Sequence, residues 1–568
     1  MTASWKTRWW LWTAIALTLV KLWLTRAQPV FAIGTALHDD RLFINLANAI
    51  LSGDWLGTYN QLTLAKGPFY PLWLAFVFFT GLPLGLAQQL AYAAACALVV
   101  RALAPLVTGG TARLAAYAVL LWNPMSFEAS SLGRVLRQHI STPLALLVFA
   151  GLIALYARRT AAFRRLAPWA ALLGGAAGAL WMTREDIVWI VPSAVLLAAA
   201  VVVALVRARP VAWRPMAWAG GLAAACAAVP VFLVCSENAR RYDWFGTVEF
   251  RSREFKDAYG ALLRVRVGPE LPFVPVTRQM REAIYPVSPT FALLRPHLDG
   301  PVGEGWAGAS STVTKLPAEE LQIGGGWFMW ALRDSVAAAG YCNDAGQAMA
   351  FYHRLAMEVN EACDDGRLPS RPRRSGFLPP WHPGLTREWL GATVRFADYL
   401  ASFSGFSAYP PASIGDHDDL VPFLDVTRDR LAPSPALDPP LPRQSALDGW
   451  KLAVLQLAGK FLRRALFWLV VAAQVVALVR AGQLLAQRRL TYLFVLTAAA
   501  WGACMAHLLA VALVHVTSFP TLTIAFLEAA YPLLLLFLAA AWLDALPDWL
   551  AALRRRPAAS AIPSPPAP

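Results

Sequence analysis

Two adjacent acids and a lone lysine stand early in the chain, in a part that carries few other charges. His38, Asp39 and Asp40 follow the first apolar stretch, and Lys66 precedes a Gly-Pro in the segment "LAKGPFYPLW". A carboxylate can accept a proton from an attacking group, and a fixed ammonium can bind an anion. The alternative is ordinary capping, because an aspartate before a helix is stabilised by the free N–H groups there.

The elements that must position these groups are apolar helices. Of the 568 residues, 57% are hydrophobic and 15% are charged, and the mean hydropathy is +0.47, which is too apolar for an ordinary soluble protein. The sequence therefore predicts a polytopic α-helical membrane protein. Runs long enough to span a bilayer, or nearly so, lie near residues 9–33, 68–86, 88–106, 112–124, 141–157, 166–182, 186–206, 216–235, 465–479, 491–516 and 521–546.

The positive charge is distributed as short clusters between these runs. The formal net charge is +15, and the clusters lie at 158–165, 207–214, 480–489 and 554–556. Such clusters are typical of cytoplasmic loops, which makes a nucleic-acid partner the weaker explanation of the basic composition. The first run follows Lys6 and Arg8, as a signal peptide would, but it is longer than the apolar part of a usual signal peptide and is interpreted as a retained anchor with a cytoplasmic N-terminus.

Placing every basic cluster inside requires one apolar run not to cross. The run at 68–86 is the best choice, because prolines and glycines interrupt it. We therefore expect about ten crossings in a cytoplasmic (inner) membrane, with both termini cytoplasmic. The expected parts are a transmembrane module 1–235 with external loops 34–87 and 123–141, an extracytoplasmic region 236–450, an interfacial helix and last crossings 451–550, and a cytoplasmic tail 551–568.

This topology gathers charged residues on one face of the membrane. Lys66 shares the first external loop with the two aspartates, Glu128 and Arg137 lie in the second loop, and Arg184 lies in the turn "MTREDIVW". Charged groups at membrane depth are costly unless they are paired or used. For Arg184, a salt bridge to a neighbouring acid is as good an explanation as a functional role.

The order and sidedness of these features resemble a known family. An acidic pair after the first transmembrane helix, an interfacial helix from Asp40 to Leu51 and the stretch "KGPFYPLW" are similar to the GT-C superfamily of membrane glycosyltransferases. The similarity is greatest to the branch of protein mannosyltransferases and lipid A aminoarabinose transferases, and it covers roughly residues 1–235. Each motif is short, and the branch favours Lys-Pro-Pro where this chain has Lys-Gly-Pro.

The resemblance implies a role for each candidate residue. The donor would be a sugar linked to a polyprenyl phosphate, and the acceptor a lipid, glycan or protein. Asp39 or Asp40 would accept the proton of the attacking hydroxyl or amine, and Glu128 matches a second acidic position by location only. Candidates for the donor phosphate are Lys66, Arg137 and Arg184, and candidates for acceptor or sugar contacts are His38 and Tyr70.

Other polar features of the chain are less specific. The run "GDHDDL" at 415–420 has the residue types of a hard-cation site, although a solvated loop is the more common explanation. No cofactor is required by these motifs, and a divalent metal is left open. Cys342 and Cys363 share the long polar region, where a disulfide is allowed and nothing in the sequence demonstrates one.

The function predicted from these observations is sugar transfer from a polyprenyl-phosphate donor at the outer face of the membrane. One alternative is a transporter or lipid flippase that uses the intramembrane charges as a path, although the sequence contains no evident internal repeat. The other is a non-catalytic protein of cell-envelope assembly, whose external region binds a partner.

Overall fold

The computed structural model of the protein describes residues 9–207, 213–434 and 445–555. Four features of the sequence lie wholly or largely outside these ranges: Lys6 and Arg8, the middle of the basic stretch 207–214, the proline-rich segment 435–442 and the tail from residue 556. Within the described part, eight helices are long and apolar enough to cross a bilayer, and three shorter apolar helices accompany them. The predicted polytopic α-helical class is confirmed.

The described residues before position 243 form nine α-helices. They are α1 (Trp9–Thr25), α2 (Asp40–Leu51), α3 (Phe69–Thr80), α4 (Leu84–Leu103), α5 (Gly110–Leu121), α6 (Gln138–Ala157), α7 (Phe163–Thr183), α8 (Val191–Arg207) and α9 (Trp213–Tyr242). The helix expected from Asp40 to Leu51 is present with those bounds. The first apolar run was expected to be helical to residue 33, but α1 ends at Thr25, and Val30 and Ile33 instead form β-bridges with Leu431 and Ile414.

The two ends of α3 contact residues that follow other helices. Before its first turn, the Gly67 N–H faces the Glu185 carboxylate at 3.3 Å, just beyond the C-terminal end of α7. Past its last turn, the Gly85 N–H donates to Asp429 at 2.8 Å, and Asp429 pairs with Arg26 directly after α1. Both ends of α3 therefore lie beside the C-terminal ends of α1 and α7, as expected for a run that does not cross.

The equally short helix α5 runs alongside α1. The guanidinium of Arg113 in its first turn packs over the ring of Trp10, at the inner end of α1, and the carbonyl of Leu121 at its far end accepts from Lys21 at 2.9 Å. Because its two ends contact opposite ends of α1, α5 runs beside α1 through the same depth.

The polar region is also helical. It contains α10 (Arg253–Arg264), α11 (Arg278–Ile284), α12 (Pro289–Ala292), α13 (Arg295–Leu298), α14 (Pro301–Thr314), α15 (Gly325–Ala338), α16 (Ala345–Asp364), α17 (Pro383–Ala401) and α18 (His417–Thr427). Buried side chains between Val248 and Leu368 form a core of their own, whereas α17 and α18 pack into the core of the membrane helices. The structure thus divides the expected region 236–450 into two parts.

The chain ends in α19 (Ala446–Ala486), α20 (Tyr492–Thr517), α21 (Ile524–Leu527) and α22 (Ala530–Arg555). The interfacial helix and the crossing expected after residue 450 form one continuous helix, α19. Its 41 residues span about 60 Å, roughly twice the thickness of the hydrocarbon core. With the shorter helices α1 and α5, the eight long apolar helices make ten among the described residues, which agrees with the prediction of about ten crossings.

Candidate active site

Asp39 stands at the N-cap position of α2 and does not act as a cap. Its side chain accepts no hydrogen bond from the N–H groups of the first turn. The carboxylate instead accepts from the Lys66 ammonium, and the Asp39 side chain remains 52% exposed. The capping explanation of this aspartate is therefore wrong, and an open ion pair is observed in its place.

Lys66 is held from several sides. Its side chain is 11% exposed, and its ammonium lies 5.3 Å from the ring centre of Phe43 and 5.7 Å from that of Trp330. These distances are typical of cation–π contacts, which favour the charged form in a partly dry site. The next residue, Gly67, lies so close to α7 that a Cβ would stand 1.9 Å from the carbonyl oxygen of Met182. Only glycine fits at this position. The contact therefore fixes the backbone from which the Lys66 side chain extends.

Asp40 points in the opposite direction. Its side chain is fully buried, and both of its oxygens accept hydrogen bonds from the guanidinium of Arg134. The two aspartates that the sequence could not tell apart therefore differ sharply. Asp39 is open to a ligand, while Asp40 holds Arg134 and thereby the second external loop.

Arg137 and Arg184 are both paired with acids. Arg137 donates to the Glu185 carboxylate at 2.6 Å and to the carbonyl of Thr183 at 3.0 Å. Arg184 donates to Asp186 at 2.7 and 2.8 Å and to Glu528 at 3.0 Å. The shared Glu185 joins Arg137 to the N–H of Gly67 beside Lys66. Arg137 therefore belongs to the Asp39–Lys66 site, and Arg184 forms an adjoining buried cluster.

The pKa values of the site follow from burial and these pairs. Burial acts to raise the pKa of Asp39, but Lys66, assisted by Arg134 and Arg137, holds it below its usual value. Burial lowers the pKa of Lys66, and the charge of Asp39 opposes that effect. For Asp40, burial raises the pKa to about 6 in spite of Arg134. At neutral pH, Asp39 is therefore an ionised carboxylate with little tendency to take up a proton while Lys66 holds it.

Neither Glu128 nor Tyr70 is hydrogen-bonded to Asp39 or Lys66. The Glu128 carboxylate accepts from Ser130 and from the backbone N–H groups of Ser131 and Leu132, so that it organises its own loop. Tyr70 is fully buried and packs edge-on against Phe43 with ring centres 5.0 Å apart. These contacts give both residues a structural role.

His38 does lie at the site, and its neighbours there come from a part of the chain that the sequence analysis did not connect with it. Its ring is edge-on to Trp306 and Trp330, with ring centres 4.7 and 4.8 Å away, and its Nε2 is 3.4 Å from Asp334. Trp330 and Asp334 stand one turn apart on α15. That spacing of four residues was the signal available in the sequence.

A connection between the polar region and the first loop places these residues. The buried Arg333 pairs with Glu249 and donates to the carbonyl of Gln61, while the Tyr59 hydroxyl donates to Glu249 at 2.6 Å. Arg333 precedes Asp334 on α15, so this network sets the position of Trp330 and Asp334 over the first loop.

Two other expectations concern metals and thiols. Within the described residues, no group of three His, Cys, Asp or Glu side chains is arranged to hold a metal ion. In the run "GDHDDL", Asp416 and Asp419 form the capping box of α18. Cys342 and Cys363 are both free thiols.

Comparisons with known proteins return two solved structures of one protein. The chain is similar to ArnT from Cupriavidus metallidurans in the apo state, with 14% identity and a TM-score of 0.31, over 98% of this chain and 81% of that one. It is similar to the same protein bound to undecaprenyl phosphate, with 15% identity and a TM-score of 0.32, over 98% and 82%. No family model and no curated protein matches. Because both TM-scores are low, the case for a function depends on the site residues themselves.

Proposed function

We propose that the protein is a membrane glycosyltransferase, which moves a sugar from a polyprenyl-phosphate donor to a hydroxyl or amine at the outer face of the membrane. The observation that carries the proposal is the Asp39–Lys66 pair. It joins a half-exposed carboxylate to a nearly buried ammonium at the start of α2. Transfer of a glycosyl group from a phosphate needs these two charges side by side.

Lys66 serves the leaving group. When the bond between C1 of the sugar and the phosphate oxygen breaks, negative charge develops on the phosphate, and a fixed cation in a dry site stabilises it. Arg137 adds a second positive charge nearby. The phosphate of the donor competes with Asp39 for the Lys66 ammonium, so that donor binding loosens the ion pair.

Asp39 serves the attacking group. Its exposed carboxylate accepts the hydrogen bond of the hydroxyl or amine and draws off the proton as the new bond to C1 forms. Once the donor phosphate has bound Lys66, the lysine offsets less of the effect of burial on Asp39. The pKa of Asp39 then rises toward a value better suited to a base. The donor thereby activates the residue that receives the acceptor.

The test is transfer of labelled sugar in purified vesicles. A panel of polyprenyl-phosphate sugars is offered to the wild type, and label is followed into lipid, glycan and protein fractions. We expect Asp39→Asn to lower transfer about 100-fold or more, and Asp40→Asn, which keeps its shape beside Arg134, to lower it less. The matched control is Asp257→Asn, because Asp257 forms only an exposed pair with Arg253. Equal transfer by the wild type and Asp39→Asn would refute the assignment.

A further inference from the structure

The long helix α19 carries three cations where its apolar part begins. Lys460, Arg463 and Arg464 directly precede the apolar run 465–479. Lys460 stands three and four residues before the two arginines, so that the three side chains leave the helix from neighbouring positions, with Cβ atoms about 5–6 Å apart. Three positive charges are therefore gathered within little more than one helical turn.

These three charges have no carboxylate partner within the ranges that the structure describes. The other two cations of α19 do have one. Lys451 lies 3.9 Å from Asp448, and Arg480 donates to Asp544 at 2.9 Å and to Asp548 at 2.7 Å. Unpaired charges beside an apolar segment are costly unless an anion compensates them. The anion for this cluster must come from outside the described chain.

Contacts place this part of α19 level with the C-terminal end of α1. Gln456 accepts from the N–H of Ala408 at 2.7 Å, and the carbonyl of Ala408 accepts from Gln28, just after α1, at 3.0 Å. One turn further along α19, a Cβ at Gly459 would stand 2.1 Å from the ring of Phe406. The cations follow Gly459 directly, so they lie at the same end of the bundle.

The length of α19 gives the depth of the cations in a bilayer. The rise from Lys460 to Ala486, the last residue of the helix, is about 39 Å. A bilayer with its headgroups is about 40–45 Å thick. A helix that crosses with Ala486 at one surface therefore carries Lys460 at the level of the lipid phosphates of the opposite leaflet.

The cations share their side of α19 with exposed apolar residues. Leu457, Phe461 and Trp468 are 71%, 70% and 69% exposed, and Lys460 and Arg464 are exposed beside them. Apolar and cationic side chains on one exposed surface are typical of a helix at the boundary between acyl chains and water. The long cationic side chains can extend to the phosphates while their methylene groups stay among the acyl chains.

We propose that Lys460, Arg463 and Arg464 bind the phosphate of an anionic membrane lipid, at a site separate from the Asp39–Lys66 pair. The guanidinium groups donate paired hydrogen bonds to the phosphate oxygens, and the ammonium adds a third charge. The acyl chains lie along Leu457 and Phe461. The inference does not depend on sugar transfer, because the site is defined by unpaired charge and depth alone.

The test is photo-cross-linking of lipid at position 461 in vesicles. Phe461 is replaced by p-benzoylphenylalanine in the full chain, the vesicles contain a minor share of phosphatidylglycerol in phosphatidylcholine, and mass spectrometry identifies the attached lipid. We expect phosphatidylglycerol to be enriched about 10-fold over its share, since each cation near the surface favours an anionic lipid. The same replacement at Phe232, an exposed residue of α9, reports the bulk composition.

The proposal requires that the enrichment depend on the three cations. We expect Lys460→Gln, Arg463→Gln and Arg464→Gln together to reduce cross-linking at position 461 to the bulk share of each lipid. The matched control loses three cations of the polar region through Arg253→Gln, Arg278→Gln and Lys315→Gln, and it should keep the enrichment. Equal labelling by the two lipids in the wild-type background, or enrichment that survives loss of the three cations, would overturn the proposal.

A competition experiment separates a lipid from a soluble anion. Inorganic phosphate is added to the vesicles and compared with chloride at the same ionic strength. Both salts should weaken the enrichment equally, because both screen the charges. Loss of enrichment in phosphate alone would identify a site for free phosphate and would overturn the assignment to a lipid.

Discussion

At the scale of single residues, the enclosure of Asp40 has a measurable consequence. Burial raises the pKa of its carboxyl group to about 6, and Arg134 offsets this only in part. Between about pH 4 and pH 6, the folded protein therefore holds a proton that the unfolded chain releases. The stability contributed by Asp40 falls as the pH rises through that window.

We expect Asp40→Asn to unfold at a higher temperature than the wild type at pH 7, and the difference to vanish toward pH 4. Asparagine resembles the protonated acid and does not titrate. The measurement is the Tm in detergent across this pH range, with Asp257→Asn as control. A wild type that is the more stable protein at pH 7 would show that the pair with Arg134 outweighs the cost of burial.

The sequence predicts the acidic pair but not its orientation. Consecutive residues at a helix start point about 100° apart, so one of them faces the core and the other the opening. Which is which depends on Arg134 and Lys66, from two different loops. Asp334 and Trp330 are further examples, because only the folding of a distant helix over the first loop brings them to His38.

At the scale of elements, the contact of the first loop with α7 positions the lysine. A Cβ at Gly67 would overlap the carbonyl group of Met182, with its oxygen 1.9 Å away. We expect Gly67→Ala to push Lys66 out of place and to lower transfer about 100-fold, since small misplacements have large effects on rate. Gly305→Ala is the control, because a Cβ there meets nothing within 4 Å. Normal transfer by Gly67→Ala would contradict the importance of this contact.

The Arg333–Glu249 pair attaches the polar region to the first loop. Both side chains are only 1% exposed, so that Arg333→Ala leaves an unpaired buried carboxylate. We expect a loss of about 3–5 kcal/mol of stability, seen as a lower Tm and as faster proteolysis of residues 243–377. Arg278→Ala, which removes only an exposed pair with Glu282, is the control. An unchanged Tm in Arg333→Ala would mean that other contacts hold this region.

The elements whose own sequence pattern determines them could be predicted. α2 has the bounds that its sequence pattern predicts. The interfacial helix and the crossing expected after residue 450 are joined in α19, because nothing in the sequence between them breaks a helix. The division of the polar region was also missed, since packing of α17 and α18 on membrane helices is a tertiary effect.

At the scale of the whole molecule, the topology rests on α3 remaining at the outer face. In a cysteine-free background, we expect Leu37→Cys and Thr80→Cys to react with an impermeant maleimide added to intact cells. Arg489→Cys, in the connection between α19 and α20, should react only after permeabilisation. Labelling of Thr80→Cys only after permeabilisation would show that α3 crosses.

The parity of the basic clusters predicts from sequence that α3 does not cross. The contacts at the ends of α3, in contrast, come from distant residues such as Asp429 and could not be predicted.

The most direct test of the central claim counts two products in one reaction. Vesicles containing the wild type or Asp39→Asn receive a doubly labelled polyprenyl-phosphate sugar, and both the glycosylated acceptor and the released polyprenyl phosphate are measured. The account predicts equal amounts of the two products from the wild type and almost none from Asp39→Asn. Movement of intact donor across the membrane with no release of polyprenyl phosphate would contradict it and identify a transporter.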